Sequence, residues 1–172
     1  MWASLLSSMG LGSSAVDQGS GLEAGDSSSG DTPGDTARRA HFSVAFTTLL
    51  EGDVQAQRIP FDRVLSQSSE DTYDTNNNEF TCTIPGAYFF TFTIHPQEDK
   101  AASVSLMKND DGQVMLLAAR KKRISNSVCS QSAILDLAEG DKVWLQLNSG
   151  REYGIRSHPG QPLVTFSGIL VK

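Results

Sequence analysis

After Gly86 the chain places an aromatic side chain at every second position, Tyr88, Phe90 and Phe92, and Ile94 completes the run. Successive side chains of a β-strand point to opposite faces, so these four share one face, with Thr91, Thr93 and His95 on the other. Three rings on one face need a deep apolar partner surface. Pro85 and Gly86 open the strand as a turn, and an apolar strand at 80–84 precedes it. The stretch therefore reads as the core of a β-sandwich.

The same alternation recurs along the chain. Phe42, Val44 and Phe46 alternate with small or polar residues in a first strand at 41–47. Residues 52–58 read as a loop, and 59–65 as a short extended segment that Pro60 bends or confines to an edge. A polar stretch at 66–78 holds one aromatic, Tyr73. Residues 102–107 and 113–118 flank Asn109-Asp110-Asp111-Gly112, a hairpin turn in which Asp-Gly supplies the positive φ. Strands follow at 128–137, at 142–148 (Val143, Leu145 and Leu147 against Trp144 and Gln146) and at 163–171. Helical periodicity is absent throughout. The expectation is an all-β jelly-roll sandwich of about ten strands in two sheets.

Composition divides the chain. Between Gly12 and Ala40 there is one Leu, one Val and no aromatic, while Gly, Ser, Asp and Thr dominate. Such a segment buries too little apolar surface to offset its ordering entropy, so 1–39 is expected to be a disordered tail and 40–172 the folded domain. Residues 1–15 read as a degenerate signal at most: a basic start is missing and Ser4, Ser7 and Ser8 interrupt the apolar run. The tail glycines do not recur every third residue, which excludes a collagen stalk in it.

The net charge is −6, and half of it lies in the tail, where Asp17, Glu23, Asp26, Asp31 and Asp35 face Arg38 and Arg39. Neither part is basic, so nucleic-acid binding has no electrostatic support. Nothing in the sequence is long and apolar enough to span a membrane. The histidines, His41, His95 and His158, stand apart, and there is neither a Gly-x-Ser-x-Gly elbow nor a metal-spaced His cluster, so the chain does not read as an enzyme.

These residues resemble the C1q globular-head domain, of the jelly-roll superfamily shared with tumour necrosis factor ligands and including complement C1q, adiponectin and cerebellin-like proteins. Phe61, Tyr73, Phe80, Gly86, Tyr88, Phe90 and Phe92 occupy the family signature. A second block, Ser132-Ala-Ile-Leu-Asp-Leu followed by Gly140-Asp-Lys-Val-Trp144-Leu-Gln-Leu, also matches, as does a third, Thr165-Phe166-Ser-Gly168-Ile-Leu. The chain departs from the pattern in the 61–73 interval, one residue longer than usual, where Gln67 or Ser68 replaces an expected Asn or Asp.

The resemblance implies a secreted, non-enzymatic recognition module, working as a homotrimer or as a heterotrimer with related chains. Its partner would be an extracellular receptor, protein or glycan. A tumour necrosis factor-like cytokine, or a structural trimerisation domain of a matrix protein, is the alternative. Phe42, Phe61, Phe80, Tyr88, Phe90, Phe92, Trp144 and Phe166 are then core or trimer residues. Tyr88 is the candidate for the shared axis, since a buried hydroxyl needs a partner. The basic run Arg120, Lys121, Lys122 and Arg123 is the candidate for an acidic or heparin-like ligand, with Arg151, Tyr153 and Arg156 as a second loop set. No cofactor is expected. Calcium occurs in the family, but the loop from Arg156 to Pro162 has no carboxylate; Asp110, Asp111, Asp71 and Asp74 read as turn chemistry. Family topology sets the strands of Cys82 and Cys129 side by side in one sheet, which would permit a bridge; free buried thiols are expected.

Overall fold

The structure, a computed structural model, describes residues 39–119 and 127–171. The chain runs through β1 (His41–Phe46), β2 (Leu49–Glu51), β3 (Gln57–Arg58), β4 (Arg63–Gln67), β5 (Tyr73–Asp74), β6 (Glu79–Thr81) and β7 (Gly86–Ile94). It continues through β8 (Ala102–Lys108), β9 (Asp111–Ala118), β10 (Cys129–Leu137), β11 (Lys142–Leu147), β12 (Gly154–Arg156) and β13 (Val164–Leu170). Every strand pairing is antiparallel. One sheet has the order β10-β7-β13-β1-β4, the other β5-β6-β11-β8-β9 with β3 against β11, and β2 and β12 form a separate ribbon.

The jelly-roll expectation holds, with more strands than anticipated. The extra ones, β2, β3, β5 and β12, are two or three residues long. Strands that short carry no period of their own and form because a partner supplies the ladder. The extended segment expected at 59–65 begins pairing only at Arg63. Before it, Ile59 and Phe61 are buried, and the Ile59 amide donates to the Leu145 carbonyl at 3.0 Å.

The two sheets meet on their aromatic faces. Tyr88, Phe90 and Phe92 of β7 point inward, as the alternation requires, and the opposite sheet answers with Tyr73 and Phe80. The Phe42 ring lies 5.2 Å from Phe80 and 4.9 Å from Phe166; Phe80 in turn lies 5.3 Å from Tyr88 and 5.8 Å from Phe90. Such ring pairs add to the stabilisation from burial alone.

Two sequence expectations are corrected, those for Tyr88 and for the cysteine strands. Tyr88 is fully covered inside the protomer, and its hydroxyl donates to the Ile84 carbonyl at 2.7 Å. Its partner is therefore its own backbone and not a trimer axis, and burial pushes the phenol pKa up. Trp144 is buried, as expected of a core residue, at 6% exposure; it lies on the face of β11 opposite Val143 and Leu145, outside the inter-sheet cluster, with the Arg58 guanidinium 4.1 Å above its ring. Cys82 follows β6 on the six-stranded side, whereas Cys129 opens β10 in the other sheet, so the two do not share a sheet; both thiols are free.

Beside Trp144 sits the main buried charge. Glu79 is buried, with Arg58 Nη1 at 2.7 Å from one carboxylate oxygen and Lys142 Nζ on the other. Burial alone would raise its pKa, but the bonds and charges of Lys142 and Arg58 outweigh it and hold the carboxyl below its ordinary value. Asp141, bonded by Asn109, the Ala138 amide and Lys108, is held down to about 2. A carboxyl with a depressed folded pKa stabilises above its unfolded pKa and loses that contribution as pH falls through the folded one. Glu79→Gln should therefore lower the melting temperature at pH 7, where the bonds to charged partners are worth about 1–3 kcal/mol. The gap to the parent should close as the pH drops from about 5 to about 2. Thermal melts across that range check it, and a gap independent of pH would contradict it.

Candidate functional site

The strand alternation that buries Tyr88 and Phe90 turns Phe89 to the other side. Register then extends the outward row across the five-stranded sheet. Phe89 faces Ile134 on β10 and Ile169 on β13, and Ile169 faces His41 on β1. Phe89 is 38% exposed, Ile134 65% and Ile169 52%, with Val171 exposed just beyond the end of β13. Three large apolar side chains thus stand in line on a face that the rest of the described sandwich leaves open.

The next rows on this face are hydroxylated. Ser132, Thr91, Ser167, Ser43 and Ser66 lie in register across all five strands. The Ser43 and Ser167 hydroxyls are 2.8 Å apart, as are those of Thr93 and Thr165 one row on. These two pairs satisfy each other's hydroxyls beside the apolar line. His41 closes the apolar row with Nε2 3.2 Å from the Ser66 hydroxyl. No carboxylate among the described residues orients that ring, so the Ser–His contact lacks the third group of a nucleophilic relay.

A second apolar pair is exposed on β9, the edge strand of the six-stranded sheet: Met115 and Leu117, both outward by alternation. The Ser103 hydroxyl donates to the Met115 sulfur at 3.7 Å.

The sequence-based sites fare differently. Arg120, Lys121, Lys122 and Arg123 lie outside the described residues. Arg151, Tyr153 and Arg156 do not act as one cluster. Arg151 Nε is 4.0 Å from Asp53 Oδ1, and Tyr153 packs partly buried against the core. Arg156 ends β12 and lines a groove that neither of the others touches. Asp74 is engaged by its own turn, accepting from the Asn76 amide at 2.7 Å and the Asn77 side-chain amide at 2.6 Å. Among the described residues no three His, Cys, Asp or Glu side chains converge on a cation position. Sequence reasoning misses the outward row, although Phe89 stands between two aromatics of the inward stripe. The signal is three consecutive aromatics, which forces one of them onto the opposite face.

The C1q domain profile matches residues 41–171. Complement C1q tumor necrosis factor-related protein 1 of Mus musculus is 34% identical over 134 residues, covering 77% of this chain and 47% of the relative. The globular domain of zebrafish complement 1qA protein superposes with a TM-score of 0.61 at 24% identity, over 77% of this chain and 98% of that one. Murine APRIL superposes with a TM-score of 0.57 at 8% identity, over 78% of this chain and all of that one, which speaks to the fold alone. The chain spans about half the length of the curated relatives it matches first. It belongs to the C1q domain family.

Proposed function

We propose that this C1q domain is a secreted, non-enzymatic recognition module that assembles as a trimer and presents its loops to an extracellular partner. One observation carries the assembly: the row Ile134, Phe89 and Ile169 on the outer face of the five-stranded sheet. Apolar surface arranged this way on a sheet face marks a contact with another chain. Its burial returns about 25 cal/mol for each Å² removed from water.

The second apolar pair argues for a ring and against a two-fold dimer. Met115 and Leu117 lie on a different sheet from the row, so one protomer offers two unlike surfaces. Unlike surfaces that pair between copies form a heterologous contact, which closes into a ring when the rotation between copies allows it. Closure at three is what the C1q resemblance implies. Three copies of each loop would then face one side, and weak contacts multiply through effective concentration.

Sedimentation equilibrium tests the reading. The parent chain should run at three times its 18.5 kDa mass. Ile169→Arg, which sets a charge in the middle of the row, should run at the mass of one chain and keep the parent's far-ultraviolet circular dichroism. A parent protein that sediments as a single chain at micromolar concentration overturns the proposal.

A further inference from the structure

Where β1 leads into β2, the chain end of β7 and the end of β12 border a shallow groove of about 500 Å³ that is open to solvent. Its walls come from three segments: Thr48 and Leu49, Glu98, and Arg156, Ser157 and Pro159. Backbone bonds hold the segments together before any ligand arrives. The Ser157 amide donates to the Thr48 carbonyl at 2.7 Å, the Arg156 amide to the His95 carbonyl at 3.0 Å, and the Gln97 amide to the Gly154 carbonyl at 2.9 Å. Beneath them the His95 ring is buried, with Nδ1 3.3 Å from the Arg156 carbonyl. The backbone of the groove is thereby fixed before a ligand arrives, and binding has only side chains to order.

Arg156 and Glu98 both reach solvent, yet neither makes an ion pair, with the other or with any described residue. A guanidinium and a carboxylate that line one groove without touching leave five donors and two acceptor oxygens free for a third party. Their charges cancel. A polyanion entering the groove meets Glu98, and a cation meets Arg156.

We propose that this groove holds the ring of a neutral saccharide. Adjacent hydroxyls on a pyranose are both donors and acceptors, so one pair donates to the Glu98 carboxylate while another accepts from the Arg156 guanidinium in bidentate fashion. The Thr48 hydroxyl serves either role, and Ser157 keeps its proton to donate, since its oxygen already accepts from the Leu163 amide at 2.8 Å. Leu49 and Pro159 give the ring's C–H face an apolar wall. The site is a property of the single protomer and does not depend on trimer formation.

The test is a nitrogen-15 chemical-shift titration of the intact chain with methyl α-D-mannopyranoside, methyl β-D-galactopyranoside, free alanine and a heparin disaccharide. At least one neutral glycoside should saturate with a dissociation constant on the order of 1–10 mM, the range expected for a dozen ligand atoms. The shifts should be confined to residues 47–49, 97–98 and 156–159. Arg156→Gln and Glu98→Gln should each weaken binding by about tenfold or more, and leave the spectrum outside the groove unchanged. Three results overturn the proposal: no saturation by either glycoside below about 100 mM, saturation by alanine or the heparin disaccharide alone, or variants that bind like the parent.

Discussion

Gly168→Ala should lower the melting temperature by about 10 °C or more, an effect far larger than one methyl group ordinarily produces. Gly168 faces inward on β13, between Phe42 of β1 and Phe90 of β7. A Cβ there would lie 2.5 Å from Phe42 Cε1, and 2.7 and 2.8 Å from Phe90 Cε1 and Cδ1. Neither ring has room to retreat. Phe42 is held by Phe80, Phe166 and Tyr73 at 5.2, 4.9 and 5.0 Å, and Phe90 by Phe80 and Phe166 at 5.8 and 5.9 Å. Overpacking a filled core costs about 1–3 kcal/mol and more when rings cannot rotate away. The upper end is expected here.

Two companion variants separate this cause from a general intolerance of glycine replacement. Gly140 has φ +87°, and a methyl group there would meet nothing within 4 Å, so Gly140→Ala meets backbone strain alone, about 1 kcal/mol. Phe42→Leu in the Gly168→Ala background removes the ring edge nearest the new methyl. If the clash is the cause, the double variant should be more stable than the sum of the single effects predicts. Calorimetry on the parent and these variants, with Phe42→Leu alone as the reference, decides the matter; additive losses, or a Gly168→Ala melt equal to the parent's, would refute it.

The buried half of this fold was legible in the sequence because burial leaves a period. The long strands with an alternating face, β1, β7, β8, β9, β10, β11 and β13, are the ones the alternation exposes. Trp144 was legible too: Val143, Leu145 and Leu147 occupy one side of β11, so Trp144 has to face the other, where it is buried outside the inter-sheet cluster. What fixes it is Arg58, more than eighty residues earlier, a distance over which sequence pattern carries nothing.

The groove was invisible for the same reason. Thr48 and Glu98 are unremarkable polar residues in separate parts of the chain; Arg156 was singled out, but with Arg151 and Tyr153 and not with these two, and β2 and β12, beside which the groove forms, are too short to announce themselves. Tyr88 failed differently. A buried hydroxyl does need a partner, and the partner is the Ile84 carbonyl, four residues away on the same chain.

Phe89 and Phe90 are adjacent in sequence and should fail in opposite ways. Phe90 is fully buried among Phe80, Tyr88 and Phe166, with ring centroids within 6.1 Å. Phe90→Ala removes those contacts and leaves a cavity the neighbouring rings cannot fill, a loss of about 3–5 kcal/mol. The expected outcome is a chain that melts at least about 10 °C lower, whatever its assembly state. Phe89 touches none of that core, and its ring lies beside Ile134 and Ile169 on the outer face. Phe89→Arg therefore leaves the single-chain fold intact by circular dichroism and abolishes the higher mass in sedimentation. Its melting temperature should lose any dependence on protein concentration, because a chain that no longer associates gains nothing from mass action. If Phe89→Arg unfolds the chain, or Phe90→Ala changes assembly without changing the melt, then the two faces of β7 do not divide folding from association. The row on the outer face would then be part of the core and not an interface.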